Sequence, residues 1–305
     1  MTRTVLAVLT YRRPAELNGL LPLLLQQGEQ AATARVRVLV VDNDPEGTGR
    51  PIAAASGADY AQEVRPGIAA ARNRALDEAR DDDLLVFIDD DERPEPGWLD
   101  ALLSTHRRLQ GAGVVGPVVS SFEGELPGWV AAGDFFHRRR LPTGTPVTVA
   151  ATNNILLDLD VLRHLGLRFD ERFGLSGGSD TLFSRSLVAG GGKLYWCDEA
   201  LVVDRVPCER MTRRWVLTRA VRSGNSWGRT SLFLAPRHRR EWVRLRLVGM
   251  GLARLLAGGL RWLGGSLASH VDQQAKGLRT AARGLGMVSA CLGHVQVEYA
   301  RPVPP

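Results

Sequence analysis

The sequence predicts an α/β protein, a mostly parallel sheet flanked by helices, with a helical C-terminal extension. Three observations carry that expectation. Short apolar runs at 5–9, 36–41 and 84–88 alternate with helical stretches near 15–27 and 68–80, the rhythm of βαβ units. The second run, Val36-Arg37-Val38-Leu39-Val40-Val41, is almost continuously apolar, as a strand is when helices cover both its faces. From about Thr230 the pattern gives way to a long apolar stretch studded with arginine.

Each strand run ends in polar residues: Thr10-Tyr11-Arg12 after the first, Asp42-Asn43-Asp44 after the second, Asp89-Asp90-Asp91-Glu92 after the third. Ligands of parallel sheets sit at the carboxyl ends of the strands, so these clusters are expected to converge on one edge. The 305 residues, 44% apolar, suffice for one large core or for a catalytic domain with an appendage. The expected division is a domain over 1–230, with halves meeting near 115, and an extension over 231–305.

The formal charge of +6 suits an anionic partner. Lysine occurs only at Lys193 and Lys276, so the charge is almost all arginine, and no basic run interleaved with aromatics marks a nucleic-acid surface. No nucleic-acid partner is expected. Three dispersed cysteines, Cys197, Cys208 and Cys291, form neither a disulfide framework nor a metal pattern. With a first strand that begins almost at Met1 and no apolar leader, a cytoplasmic protein is expected.

In the extension, Arg237-His238-Arg239-Arg240 leads into an apolar stretch, 242–263, that contains Arg244, Arg246, Arg254 and Arg261. These arginines argue against a transmembrane span. At 100° per residue, Arg240, Arg244, Arg254 and Arg261 share one side of a helix. Two readings stay open: a helix packed on the catalytic domain with its arginines in solvent, or peripheral association of 237–263 with an anionic membrane at its inner face, anchored by Trp242 and Trp262. The Pro-rich end, 301–305, is expected to fray, and a homodimer is also left open.

The chemistry concentrates at 89–91. Adjacent carboxylates repel one another unless a cation is present, and Mg²⁺ or Mn²⁺ takes oxygen ligands and bridges to phosphate oxygens. A bare Asp-x-Asp triplet is not specific. Its surroundings are: Asp91-Glu92-Arg93-Pro94-Glu95-Pro96-Gly97-Trp98-Leu99 follows it, after Val8-Leu9-Thr10-Tyr11-Arg12-Arg13, Val40-Val41-Asp42-Asn43 and Arg65-Pro66-Gly67-Ile68-Ala69-Ala70-Ala71-Arg72-Asn73. Further on come Thr152-Asn153-Asn154-Ile155-Leu156, Phe169-Asp170-Glu171-Arg172-Phe173 and Gly177-Gly178-Ser179-Asp180-Thr181-Leu182-Phe183-Ser184-Arg185.

In this order and over about residues 4–230, the chain resembles family 2 glycosyltransferases with the Rossmann-like GT-A fold. The resemblance implies an inverting, metal-dependent transfer of a sugar from a nucleoside-diphosphate sugar to a hydroxyl acceptor such as a cell-surface polysaccharide, a lipid carrier or a natural product. It implies that Thr10, Tyr11, Arg12, Asp42 and Asn43 hold base and ribose, with Asp42 accepting from the base. Gly67, Arg72 and Asn73, at a helix start, would meet the diphosphate or ribose. Asp89 would contact ribose or the metal and Asp91 the metal, with Asp90 between them as a spacer. Asp180 would be the general base. Other readings remain for three of these: Asp42 as a turn residue, Arg72 as a surface charge, Asp180 as a helix cap.

Two departures stand out. Ser179-Asp180 occupies a place where many relatives carry Glu-Asp, and Arg205 a place where relatives often have a metal-binding His. An arginine binds phosphate but no metal, so Arg205 or Arg210 is expected to share the leaving group's charge. Arg213 and Arg214 read as solvated helix charge. His137 and His164 lack ligand-spaced partners and read as structural. Trp129 and Trp196 read as core, with stacking on an acceptor sugar as the alternative. The rivals are a sugar- or lipid-binding scaffold of the same fold that has lost catalysis, and a sugar-nucleotide nucleotidyltransferase, which would need a Gly-rich loop where Thr10-Tyr11-Arg12-Arg13-Pro14 stands.

Overall fold

The computed structural model describes residues 1–296; the Pro-rich end lies outside the described residues. The first strand, β1 (Thr2–Thr10), leads to α1 (Pro14–Gln30), whose Pro14 sits in the first turn, where its missing N–H costs nothing. β2 (Ala34–Asp42), α2 (Arg50–Ser56) and β3 (Asp59–Gln62) follow, then α3 (Ile68–Glu78) and β4 (Leu84–Asp89). The acidic turn opens β5 (Glu92–Pro94) and α4 (Trp98–Leu109). The second half contains β6 (Gly113–Val115), β7 (Val118–Phe122), α5 (Gly128–Gly133), β8 (Pro146–Val147), β9 (Asn154–Asp158) and α6 (Leu159–His164). It continues with α7 (Ser179–Ala189), β10 (Leu194–Trp196) and β11 (Val202–Val206). Three long helices follow: α8 (Arg213–Leu234), α9 (Arg240–Leu267) and α10 (Val271–Cys291).

Eight strands form one sheet in the order β3-β2-β1-β4-β9-β6-β10-β8. β3, β2, β1 and β4 run parallel, β9 is antiparallel to both its neighbours, and β10 is again parallel to β6. Side chains alternate across each central strand. Val5, Ala7, Leu9, Leu39, Val41, Leu85 and Phe87 pack under α3 and α7. Leu6, Val8, Val38, Val40, Val86 and Ile88 pack under α1 and α4, where Leu17, Leu20, Leu21, Leu24, Trp98, Leu99 and Leu102 cover them. The near-continuous apolar runs are the consequence of that double cover. A second sheet, β5-β11-β7, leans on the cleft side and ties the acidic turn to β11.

The chain crosses position 230 without a break, inside α8. α10 packs on α8 through Gly224, Gly228 and Gly286, and α9 packs on α10 through Gly251, Gly258 and Gly265 on one helix and Gly277 and Gly284 on the other. A Cβ at Gly258 would sit 2.5 Å from the Ala281 nitrogen, so the two backbones touch and no larger residue fits. That seam fixes the rotation of α9. Arg254 lies against Gly284, and Arg261 donates from Nε to Gln273 of α10 at 2.7 Å. The side holding Arg240, Arg244, Arg254 and Arg261 is therefore turned toward the protein, and leucines face outward. This inverts the packed-helix reading, because glycines spaced by seven residues make a tighter seam than leucines do, and long arginine stems straddle it. Among the described residues no helix is long and apolar enough to cross a membrane.

Candidate active site

Strand register brings the polar ends together: Thr10 pairs with Asp42, and Leu9 with Asp89. They border a cleft of about 610 Å³. Thr10, Tyr11, Asn43, Arg72, Asp89, Asp90 and Asp91 line it from the first half of the chain, and Gly177 to Asp180, Asp204, Arg210, Trp215, Arg219 and Arg222 from the second. The triplet at 89–91 and Asp180 thus share one space. Asp180 lies near enough for its charge to act on Asp89.

Burial pushes Asp89 up to about 7; Arg72 opposes this, and the charges of Asp91, Asp90 and Asp180 add to it. Asp90, read from sequence as a spacer, is a buried anchor. It accepts from Thr10 Oγ1 and Arg13 Nη1, both at 2.9 Å, so it fixes the turn after β1 to the turn after β4. Burial raises Asp90 to about 6 against the pull of Arg13. Asp91 accepts from Arg13 at 3.0 Å and from Arg210 at 3.3 Å. Glu92 is buried beside them, accepts from Asn153 at 2.5 Å and stands well above the usual carboxylate range through burial and then the charge of Asp89.

The expected nucleotide turn divides. Asn43 lines the cleft; its amide donates to the Glu63 and Arg65 carbonyls and its oxygen accepts from Gly67 N–H, which braces the start of α3. Gly67 has φ 114°, and a Cβ there would press on the Gly174 backbone at 3.1 Å, which is why the Arg-Pro-Gly turn ends in glycine. Asp42 does not reach the cleft. It is fully enclosed, accepting from the N–H groups of Asp44 and Gly49 and from Tyr60 Oη, so it acts as the turn residue of the alternative reading. Arg12 points away to Asp44 and Glu46. Asn73 exchanges two hydrogen bonds with the Phe169 backbone and is structural. Arg72 does face the cleft: Nη1 donates to Ser179 Oγ at 2.9 Å, its plane lies over Phe169, and its buried Nε has no partner.

Across the cleft, Gly177 and Gly178 both take positive φ, 73° and 91°, to turn the chain into α7. Asp180 sits in the first turn of α7, where Oδ1 accepts from Thr181 N–H at 2.7 Å; the cap position belongs to Gly178, with no side-chain cap bond. Ser179 is held by Arg72 and does not cap. Arg205 is corrected most clearly: it points outward, pairs with Glu123 at 3.2 Å and lines no part of the cleft, whereas Arg210 does. In β11 it is the alternate residue, Asp204, that faces inward, held by Arg138 at 2.6 Å.

Sequence reasoning missed Arg13, Glu92, Arg138, Asn153 and the wall made by Trp215, Arg219 and Arg222. The last three recur at i, i+4 and i+7, one face of α8. Their spacing was readable, but not where α8 would lie.

As for metal, Asp89 and Asp91 supply hard oxygen donors whose crowding a cation would relieve, a donor set that suits Mg²⁺ or Mn²⁺ with water and phosphate completing the shell. Among the described residues no three His, Cys, Asp or Glu side chains are grouped as a complete ligand set.

This fold is that of the GT-A glycosyltransferases. The profile of the family described as "Glycosyl transferase family 2" matches residues 6–166. The succinoglycan biosynthesis protein ExoM of Rhizobium meliloti (strain 1021) is 34% identical over 243 residues, covering 78% of each chain. The chain belongs to glycosyl transferase family 2. Among solved structures, the mannosyltransferase PcManGT from Pyrobaculum calidifontis, in complex with GDP-Man and Mn²⁺, superposes with a TM-score of 0.62 at 17% identity, over 95% of this chain and 87% of that one. GalNAc-T7 with UDP, GalNAc and Mn²⁺ gives a TM-score of 0.52 at 13% identity, over 68% of this chain and 44% of that one. Both likenesses are of fold.

Proposed function

We propose that this chain transfers a sugar, with inversion, from a nucleoside-diphosphate sugar to a hydroxyl of a growing polysaccharide, a lipid-linked acceptor or a natural product, aided by Mg²⁺ or Mn²⁺. One observation carries the reading: Asp180 and the acidic triplet border the same cleft. Residues 1–115 would form the donor half and 116–230 the acceptor half, in keeping with the two sets of lining residues.

In this mechanism Asp180 accepts the proton of the acceptor hydroxyl as that oxygen bonds to the anomeric carbon. The bond from that carbon to the diphosphate oxygen breaks on the opposite side, and the electron pair leaves with the nucleoside diphosphate. Arg72, Arg13 and Arg210 lie where they can receive the phosphate charge. A divalent cation, when bound by Asp89 and Asp91, would neutralise part of that charge. Tyr11, Thr10 and Asn43 would border the nucleoside, while Trp215, stacked on Phe136 with Arg219 over its ring, would border the acceptor. The part of ExoM in succinoglycan biosynthesis favours a polysaccharide acceptor.

A second reading, a binding scaffold without turnover, draws on the two arginines already paired with Asp91. Thermal-shift measurements with UDP-, GDP- and dTDP-sugars, with and without Mn²⁺, followed by donor-hydrolysis assays, separate the two. The enzyme reading expects metal-dependent stabilisation by one nucleotide and slow hydrolysis of its sugar; neither occurring would leave the scaffold.

A further inference from the structure

We infer that the outward face of α9 docks on an anionic bilayer, with the helix lying in the plane of the headgroups. On 100° spacing, the face opposite the glycine seam carries Leu245, Leu252, Leu256, Leu260, Leu263 and Leu267, each between 47% and 81% exposed. No charged residue interrupts it over its length, roughly 40 Å for a helix of this span. So long a leucine stripe in water is not explained by chance exposure of single residues. The seam leaves α9 no freedom to roll these leucines inward, because Gly251, Gly258 and Gly265 lie backbone-to-backbone against α10.

Charge selects the occupant. Arg237, Arg239 and Arg246 cluster exposed at the start of the helix, and none forms an ion pair with a carboxylate among the described residues. The single acid of α9, Glu241, is taken by Arg244 at 2.9 Å. A second copy of this chain placed on the stripe would bring arginine clusters against leucine or against each other, with no acid on the opposing helix to meet them. Anionic headgroups meet them along the edge of the stripe. Trp242, with Arg246 over its ring at 5.7 Å, stands at the boundary where amphipathic rings settle. The chain would thus rest on a membrane without crossing it. This inference is independent of the catalytic reading, since the stripe shares no residue with the cleft.

The test is co-sedimentation of the full chain with phosphatidylcholine vesicles, with and without phosphatidylglycerol, beside light scattering in solution. The expected result is binding to the phosphatidylglycerol vesicles by a monomer. Leu256→Glu with Leu260→Glu should abolish that binding. Arg239→Gln with Arg246→Gln should weaken it roughly thirtyfold, from the usual contribution of a basic residue near an anionic surface. Unchanged circular dichroism and unchanged thermal stability would show both variants folded. Failure of the wild type to bind anionic vesicles, equal binding to neutral ones, or a dimer that Leu256→Glu with Leu260→Glu dissolves would each overturn the inference. Vesicle binding without any nucleotide stabilisation would sink the catalytic reading alone.

Discussion

The two walls of the cleft differ in how completely their polar groups are partnered. On the proposed donor wall, Asn43 is met by three backbone groups and Asp90 by Thr10 and Arg13, with Asp42 saturated behind them by two backbone N–H groups and Tyr60, and only the buried Nε of Arg72 is left without a partner. On the proposed acceptor wall, the buried Nε of Arg222 has no partner, and among the described residues Asp180 takes a backbone bond from its neighbour Thr181 alone. A buried N–H left unmade costs about 1–3 kcal/mol, a cost that a bound group can remove. Apart from Arg72, the proposed donor wall is built before any ligand arrives, whereas Arg72 and the proposed acceptor wall are completed by what they bind. Preorganised groups act best on charge that develops in the transition state, so the difference matches the roles proposed for the two walls.

Replacing a residue on each wall breaks this contrast in a different way. Asp91→Ala should have the largest effect, lowering transfer on the order of a thousandfold and removing metal-dependent stabilisation by nucleotide in a thermal-shift assay. Asp42→Ala should act through the fold, lowering unfolding stability by about 2–3 kcal/mol in urea titration because Gly49 N–H and Tyr60 Oη lose a buried acceptor. Arg222→Ala should raise the acceptor KM roughly tenfold or more and leave donor affinity unchanged, as expected for one lost hydrogen bond to a charged group. An unchanged acceptor KM would place Arg222 outside the acceptor wall. The smallest effect lies far from the cleft. Arg140 hydrogen-bonds to Asp198 at 2.6 and 2.8 Å and holds its carboxyl below the usual range, with burial opposing. A carboxyl depressed on folding stabilises above its ordinary pKa and loses that contribution as pH falls through the folded value. Both partners are partly exposed, so Asp198→Asn should cost only about 0.5 kcal/mol at pH 7, and the difference from wild type should fade as pH falls through the depressed carboxyl range in pH-dependent melting.

Much of the scaffold was legible because its signals are local. Apolar runs marked β1, β2 and β4, and the sheet extended each by only a few residues. β3 was not legible: Asp59-Tyr60-Ala61-Gln62 is short and polar, an edge strand that among the described residues pairs with β2 alone. In the site, the acidic triplet, Asn43, Arg72, Asp180 and Arg210 could be picked out by type and order. Arg205 could not be judged, since alternation along β11 decides between it and Asp204. Arg13 and Glu92 were hidden because their partners lie 77 and 61 residues away. α9 misled for a physical reason: an amphipathic pattern tells which residues share a face, and only the glycine seam tells which face is inside.

The most direct test of the account is Asp180→Asn, followed by nucleotide binding and sugar transfer on the same preparation. The account predicts wild-type thermal stabilisation by nucleotide with Mn²⁺ and transfer lower by roughly a hundredfold to ten-thousandfold, the usual range for a lost general base. Transfer at the wild-type rate would contradict it.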